Sequence, residues 1–279
     1  MTALAPLGLD HVTVPVGAGD PAEIAARAGH TSGARVTGGS TVEFTGGWLR
    51  FAAGEGKAEL GFGYADVSEL GQARDWLAGQ GKLVGQQPGN RSELADPDGN
   101  RVAIGAAQPP SGLPGPRFLH AGVVSADVGA AVEFYQASLG LRISDWIADS
   151  ACFLRSRNGF HHSLAIVATA AQPRLDHVCL LYDDFDLLMQ SRARVRATGI
   201  AIESDLLKHA PSGSVSFYYQ LPGSGLTLEH CTGHERVDFE TREPRRLPAA
   251  PETRDMWQLG VPAAARTITG GPLAAIAVQ

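Results

Sequence analysis

The chain has 279 residues, which is enough for one large domain or two domains of ordinary size. Apolar residues make up 44% and charged residues 19%, a balance that is too apolar for a disordered chain. The net charge of −6 argues against a nucleic-acid partner, because phosphate binding needs a basic surface.

Cysteine usage and hydropathy predict a protein of the cytoplasm. The three cysteines form no CxxC pair and their number is odd, so a disulfide framework is not expected. The sequence has no apolar run of about 18 residues, and its first residues lack a basic segment followed by an apolar core. We therefore expect neither a membrane span nor a secretory signal.

Three strand-like stretches resemble one another. They cover 9–14, 119–124 and 175–180, and each begins with Leu, carries a His near its start and continues with apolar or β-branched residues. An acidic turn and a helical pattern follow each of them. A fourth stretch, over 60–81, has the same plan without the His.

The helical patterns have recognisable starts and ends. Asp20 and Pro21 predict the start of the first helix, because Asp caps a helix and Pro suits its first turn. Asp127 precedes the second helix, and Gly140 can end it. The third helix is predicted over 185–198.

These elements predict an α+β protein of four strand–helix–strands modules, near 8–52, 58–106, 117–168 and 174–231. The stretch 108–116 holds four Pro in nine residues and is typical of a linker between two pairs of modules. Residues 235–279 are expected to form a partly irregular tail that packs on the outside.

Two modules close in a similar way. In both, a Gly-containing turn leads into a last strand, and four positions separate Gly99 from Ala103 and Gly225 from Glu229. The first closing therefore ends on a small apolar residue and the second on a carboxylate. A carboxylate in an apolar strand costs several kcal/mol, roughly, unless it is paired or bound to a metal.

Two histidines occupy matching places near that carboxylate. His120 and His177 begin equivalent strands of two modules, and pairing of those modules would bring both to Glu229. Two His and one carboxylate form the facial triad of non-haem Fe(II) oxygenases, which leaves open positions for substrate and dioxygen.

The C-terminal half holds seven of the nine histidines. Further polar side chains are predicted on the same concave face, and these are His161, His162, His209 and Tyr218. The N-terminal half keeps His11 but has Ala103 at the carboxylate position and no second His. We therefore expect one metal site per chain, within 117–231.

Several motifs in this order resemble the vicinal oxygen chelate superfamily, and within it the two-domain extradiol dioxygenases that act on 2,3-dihydroxybiphenyl and catechol. The resemblance covers roughly 8–231 and is strongest over 117–231. The stretches that carry it are Phe134-Tyr135, Leu139-Gly140-Leu141, Ser144-Asp145, His161-His162-Ser163-Leu164-Ala165, Leu175-Asp176-His177-Val178, Ser216-Phe217-Tyr218 and the Pro222, Gly225 and Glu229 closing.

The resemblance implies two vicinal-oxygen-chelate domains, each built from two βαβββ modules as an open mixed β-barrel with outer helices. The N-terminal domain would cover 1–107 without a metal site, the linker 108–116 and the catalytic domain 117–234. Residues 235–279 would form the tail.

The resemblance also implies roles for individual residues. The metal ligands fall on His120, His177 and Glu229. The catalytic residues fall on His162, which would act on bound dioxygen, and on His209 and Tyr218, which would contact the substrate; His161 would be structural.

The implied activity is extradiol cleavage of a substituted or bicyclic catechol by Fe(II) and O2, with Mn(II) as an alternative ion. The expected setting is aromatic catabolism in a cytoplasmic homo-oligomer. Steroid and biosynthetic catechols fit as well. The alternatives are another metal-dependent enzyme of the superfamily, such as an isomerase or epimerase, and a non-catalytic small-molecule binding protein. An isomerase or epimerase need not keep His162, His209 and Tyr218 together, and the binding proteins of the superfamily usually lack the metal triad.

One departure from the family pattern concerns His209. Where many family members have a Thr-Asn-Asp run after the substrate His, this chain has Ala210-Pro211-Ser212-Gly213, which leaves the orientation of the His209 side chain open.

Three other residues of this region are expected to have no chemical role. His230 should point away from Glu229 because side chains alternate along a strand. His234 is expected to be solvated, and Cys179 to pack in the core.

Overall fold

A computed structural model describes residues 3–83, 85–87, 91–107 and 115–257. The chain repeats one unit four times, as the sequence predicts, and each unit consists of one strand, one helix and three further strands. The first two repeats are β1 (Gly8–Pro15), α1 (Pro21–Ser32), β2 (Arg35–Thr37), β3 (Thr41–Phe44), β4 (Gly47–Ala52), and β5 (Glu59–Tyr64), α2 (Val67–Gly79), β6 (Gly85–Gln87), β7 (Arg91–Ala95), β8 (Arg101–Ala106).

The last two repeats are β9 (Arg117–Ser125), α3 (Val128–Leu139), β10 (Arg142–Ile147), β11 (Ala151–Arg155), β12 (Leu164–Ala168), and β13 (Arg174–Leu181), α4 (Phe185–Ala197), β14 (Ser204–Lys208), β15 (Val215–Gln220), β16 (Thr227–Thr232). A short strand β17 (Arg245–Leu247) and a one-turn helix α5 (Pro251–Arg254) come after them.

Helix capping explains why each repeat turns from strand to helix at the same place. An Asp stands at the N-cap of each of the four long helices, and its carboxylate accepts a hydrogen bond from a backbone N–H of the first turn. These residues are Asp20, Asp66, Asp127 and Asp184. Gly140 ends α3 in the left-handed conformation at φ 64°, as predicted.

Each pair of repeats forms one mixed sheet. The first has the strand order β2-β3-β4-β1-β5-β8-β7-β6 and the second β14-β15-β16-β13-β9-β12-β11-β10-β17. The first strands of two repeats pair antiparallel at the centre, and the last strand of each repeat pairs parallel to its own first strand. The second sheet therefore brings β16, β13 and β9 side by side, which are the strands that carry Glu229, His177 and His120.

The two sheets share buried contacts. Phe62 and Tyr135 lie in one hydrophobic cluster with ring centroids 6.3 Å apart, and Tyr135 Oη donates to Asp96 Oδ2 at 2.9 Å. Tyr219 Oη donates to Thr31 Oγ1 at 2.7 Å. The halves therefore pack on each other through buried apolar and hydrogen-bonded side chains.

The structure describes only parts of the predicted linker and the predicted tail. Most of the predicted linker 108–116, and residues 258–279 of the predicted tail, fall outside the described residues, so the domain limits remain a prediction. The first part of the tail follows the sheet edge, where β17 pairs parallel with β10. Within the described ranges, no helix has both the length and the hydropathy that crossing a membrane requires.

Candidate metal centre and active site

Six side chains predicted as site residues line one buried cavity. His120 is on β9, His177 on β13, Tyr218 on β15 and Glu229 on β16, while His162 precedes β12 and His209 follows β14. Each of the six is at most 6% exposed. The residues that line the cavity include His120, His162, His177, His209, Tyr218 and Glu229.

Three donor atoms in this cavity are arranged as a metal ion requires. His120 Nε2 lies 3.2 Å from His177 Nε2 and 3.1 Å from Glu229 Oε2, and the remaining pair is 3.4 Å apart. Ligands about 2.1 Å from an ion and at right angles to each other would be about 3.0 Å apart. Two imidazoles and a carboxylate on adjacent positions therefore fit a divalent transition metal.

Strand register explains why these three residues meet. Cys179 of β13 pairs with His120 on one side and with Glu229 on the other, and His177 shares the Cys179 face because it lies two residues away. Gly122, opposite His177, makes room for the imidazole. A Cβ added at Gly122 would lie 1.9 Å from His177 Cε1.

Outer hydrogen bonds hold two of the donors in place. Asp176 Oδ2 lies 3.2 Å from His177 Nδ1, and Ser216 Oγ donates to Glu229 Oε1 at 2.7 Å. Burial alone would raise the pKa of Glu229, but the hydrogen bond from His120 and the neighbouring imidazoles hold that pKa well below its ordinary value. Glu229 is thus ionised and oriented for a cation. Sequence reasoning did not assign these roles to Asp176 and Ser216.

A buried hydrogen-bonded chain ends on His162. Asp145 Oδ2 is 2.8 Å from His161 Nε2, and His161 Nδ1 is 3.0 Å from His162 Nδ1. An ionised carboxylate only accepts, so His161 Nε2 carries a hydrogen. When that is the only ring hydrogen of His161, its Nδ1 accepts from His162 Nδ1–H, which leaves a lone pair on His162 Nε2. Burial lowers the pKa of His162 well below its ordinary value, so this ring is neutral.

Two arginines of the predicted tail bind the carboxylate at the start of this row of hydrogen bonds. Arg245 Nη2 lies 2.5 Å from Asp145 Oδ2, and Arg242 Nη2 lies 3.3 Å from Oδ1. Burial opposes the ionisation of Asp145, but hydrogen bonds from His161 and Arg245 hold its pKa below the ordinary value. The sequence contained Asp145 in a family motif but gave no sign that two arginines from 235–257 would pair with it.

His209 and Tyr218 form a second pair in the cavity. Their Nε2 and Oη atoms are 2.6 Å apart. Burial and the charge of Glu229 raise the pKa of Tyr218 well above its ordinary value, and burial lowers that of His209. Both groups are therefore neutral at neutral pH, and the Tyr218 hydroxyl donates to the imidazole. The turn after His209 lacks the family Asp and instead places Pro211 and Ser212 in the cavity wall.

The expectation for His234 is wrong. Its side chain is buried rather than solvated, and its ring centroid lies 4.7 Å from His162 and 5.7 Å from His120. The backbone after β16 carries His234 inward, which the end of the strand pattern could not indicate. The other expectations agree with the structure. His230 is buried against Tyr182 with Nδ1 3.1 Å from Oη, and Cys179 packs in a small apolar cluster.

The N-terminal sheet holds a different set at the equivalent register. His11 and Ala103 both pair with Gly61, as His120 and Glu229 both pair with Cys179. Glu59 lies where a second ligand would stand, 3.3 Å from His11 Nε2. Arg91 Nη1 lies 2.6 Å from that same nitrogen. A guanidinium therefore supplies the positive charge here, and no carboxylate stands at Ala103.

The remaining cavity wall is largely apolar. Thr253, from α5, also lines it and was not predicted. No Lys or Arg is among the described lining residues, and the apolar ones are Ile147, Phe153, Ala165, Val167 and Pro211.

Two known proteins are similar to this chain in sequence. No protein-family model matches the chain. Metapyrocatechase 2 of Cupriavidus necator is 28% identical over 248 residues, which cover 77% of this chain and 77% of that protein. The 3-methylcatechol 2,3-dioxygenase of Pseudomonas putida is 33% identical over 173 residues, 51% of this chain and 55% of that protein.

Solved structures share the fold. The Mn(II)-bound glyoxalase from Novosphingobium aromaticivorans has a TM-score of 0.77 and 24% identity, and covers 92% of both chains. Homoprotocatechuate 2,3-dioxygenase from Arthrobacter globiformis has a TM-score of 0.77 and 18% identity, and covers 94% of this chain and 90% of that one. The chain therefore has the glyoxalase/dioxygenase-like vicinal oxygen chelate fold.

Proposed function

We propose that this chain, a sequence relative of catechol 2,3-dioxygenases with the vicinal oxygen chelate fold, is a metal-dependent extradiol ring-cleaving dioxygenase. The observation that carries the proposal is the donor set of His120, His177 and Glu229, whose atoms lie 3.1 to 3.4 Å apart at one cavity. Two imidazoles and one carboxylate at such spacing form the ligand set of a divalent transition metal with open positions.

The metal is proposed to be Fe(II), with Mn(II) as the alternative, because nitrogen and carboxylate donors suit both ions. When bound, the ion would lower the pKa of the catechol hydroxyls and hold catechol and dioxygen side by side. The ring bond beside the diol breaks, both atoms of O2 enter the semialdehyde product, and no further reductant is consumed.

His162 is proposed to move a proton during cleavage. Its Nε2 is the nitrogen left free for the cavity when Nδ1 donates to His161, so it can take a proton from the catechol. The resulting imidazolium can then stabilise negative charge on the oxygen atoms and return the proton. Burial makes a charged His162 costly, which favours this return.

His209 and Tyr218 are proposed to orient the catechol. Both are neutral, and the Tyr218 hydroxyl would donate to a phenolate once it rotates away from His209 Nε2, without adding charge to the cavity. Glu229 lies 3.8 Å from His209, so the pair stands beside the metal position on the substrate side. Both side chains line the cavity, which supports a contact with the substrate rather than a purely structural role.

The substrate is proposed to be an uncharged catechol with an apolar substituent or a second ring. The apolar wall favours such a group, and a carboxylate on the substrate would find no cationic partner among the described lining residues. The chain is further proposed to act as a homo-oligomer, which light scattering would test. A reducing compartment is proposed because all three cysteines are free.

The test is anaerobic loading with Fe(II) or Mn(II), followed by oxygen and a panel of catechols. The panel contains unsubstituted, alkyl-, aryl- and carboxylate-bearing members, and absorbance reports the yellow ring-opened product. We expect product from the alkyl and aryl members, and none from Glu229→Ala. Metal binding without product from any member would favour another metal-dependent reaction, and absence of metal binding would favour a binding protein.

A further inference from the structure

Two buried nitrogen atoms beside the metal donors are unpaired. Among the described residues, neither His120 Nδ1 nor His234 Nε2 has a hydrogen-bond partner. The two side chains are 2% and 7% exposed. Because a buried polar atom without a partner costs about 1–3 kcal/mol, two such atoms in one cluster call for an explanation.

The hydrogen positions of the two rings are complementary. His234 Nδ1 lies 3.4 Å from the carbonyl oxygen of Glu235, and only an N–H can donate to a carbonyl. In the uncharged ring, Nε2 therefore carries a lone pair. A metal on His120 Nε2 would replace the hydrogen that this atom shares with Glu229, and the neutral ring would then carry its hydrogen on Nδ1. One atom is thus a donor and the other an acceptor.

The spacing of the rings suits one water between them. The ring centroids are 5.7 Å apart, and His120, His162 and His234 each have a ring nitrogen within 4.8 Å of a ring nitrogen of the other two. Two hydrogen bonds of about 2.8 Å that meet at a tetrahedral angle join atoms about 4.6 Å apart.

We propose that His234 is a positioning residue for the metal ligand His120, and that it accepts the Nδ1 hydrogen of His120 through a bridging water. This bond fixes the tautomer and rotation of the ring, with Nε2 directed towards Glu229 and His177. Asp176 does the same for His177, so each imidazole ligand has its own outer acceptor. The inference rests on the proposed metal site.

The test measures metal affinity without catechol or oxygen. Mn(II) is titrated into the metal-free full-length chain and followed by electron paramagnetic resonance, for the wild type and two variants. His234→Leu removes the acceptor, and His234→Gln restores an oxygen near the position of Nε2. We expect Mn(II) to bind about 10- to 100-fold more weakly to His234→Leu, and within about threefold of wild type to His234→Gln. His30→Ala, at an exposed histidine, is the matched control and should bind as wild type.

The outcomes separate this inference from the proposed function. Wild-type affinity in His234→Leu would overturn the role of His234. Equal losses of affinity in the Leu and Gln variants, in step with equal losses of melting temperature, would assign His234 to packing and overturn it as well. A wild-type chain that binds neither Mn(II) nor Fe(II) would instead overturn the metal site on which both proposals depend.

Discussion

Replacement of Asp145 by Asn tests whether the buried chain to His162 serves the reaction. Asp145 does not line the cavity, and it reaches His162 only through His161. Asn keeps the shape of the side chain but removes the charge that holds the hydrogen on His161 Nε2. The lost charge-assisted hydrogen bond corresponds to about 2 kcal/mol, or roughly a 30-fold effect on rate.

We therefore expect kcat of Asp145→Asn to fall about 30-fold, while KM changes less than about threefold because the substrate contacts are unaltered. Stopped-flow absorbance of the ring-opened product gives both constants, and calorimetry shows whether the variant is folded. Asp149→Asn is the matched control, since Asp149 pairs with Arg246 at 3.0 Å but is exposed. A folded Asp145→Asn with kcat within twofold of wild type would refute the assigned role.

Four further predictions follow from the site. Gly122→Ala should displace the His177 ring and abolish metal binding in a folded chain, while Gly71→Ala, which meets open space in α2, should bind metal normally in a dialysis assay. Ser216→Ala should weaken metal binding several-fold by freeing Glu229, and unchanged affinity in a metal titration would contradict this. Arg91→Met should lower the free energy of unfolding by about 3 kcal/mol in urea, because it leaves the buried Asp10 without that cation; a loss below about 1 kcal/mol would contradict a role of Arg91 as the buried positive charge of this sheet. Because the folded state lowers the pKa of Asp145, its stabilisation is present above the unfolded pKa of about 4 and is lost as pH falls through the folded value. The stability difference between wild type and Asp145→Asn should thus be largest near neutral pH and shrink in acid, and a difference that grows in acid denaturation curves would contradict the sign.

Local signals were enough to predict the four repeats. An N-cap Asp and a C-terminal Gly act within one turn, so α1 and α3 could be placed from neighbouring residues alone. The meeting of His120, His177 and Glu229 was also predictable, because matching places in paired modules become neighbouring positions of one sheet. Their roles in catalysis remain to be tested by the variants above.

Contacts from distant segments were not predictable in the same way. His234 follows the last strand of its module, where hydrophobic periodicity ends, and only the packed structure shows that it turns inward. Arg245 and Thr253 belong to a segment with too little pattern to place, yet they reach Asp145 and the cavity wall. Arg91 is one of many charged residues on short strands, and its contact with His11 depends on the pairing of β7 with β8.

The segment after β16 contributes to the proposed active site but supplies none of the proposed metal donors. Apart from the edge strand β17, both sheets precede residue 235, as do all four capped helices and the three proposed metal donors, whereas Arg242, Arg245 and Thr253 follow it. A protease that cuts in the exposed stretch around Glu243 would leave the donors in place while releasing the clamp on Asp145 and one side of the cavity. In the proposed metalloenzyme, the cleaved protein would still bind the ion but turn over little, so metal content alone would be a poor measure of activity in a preparation.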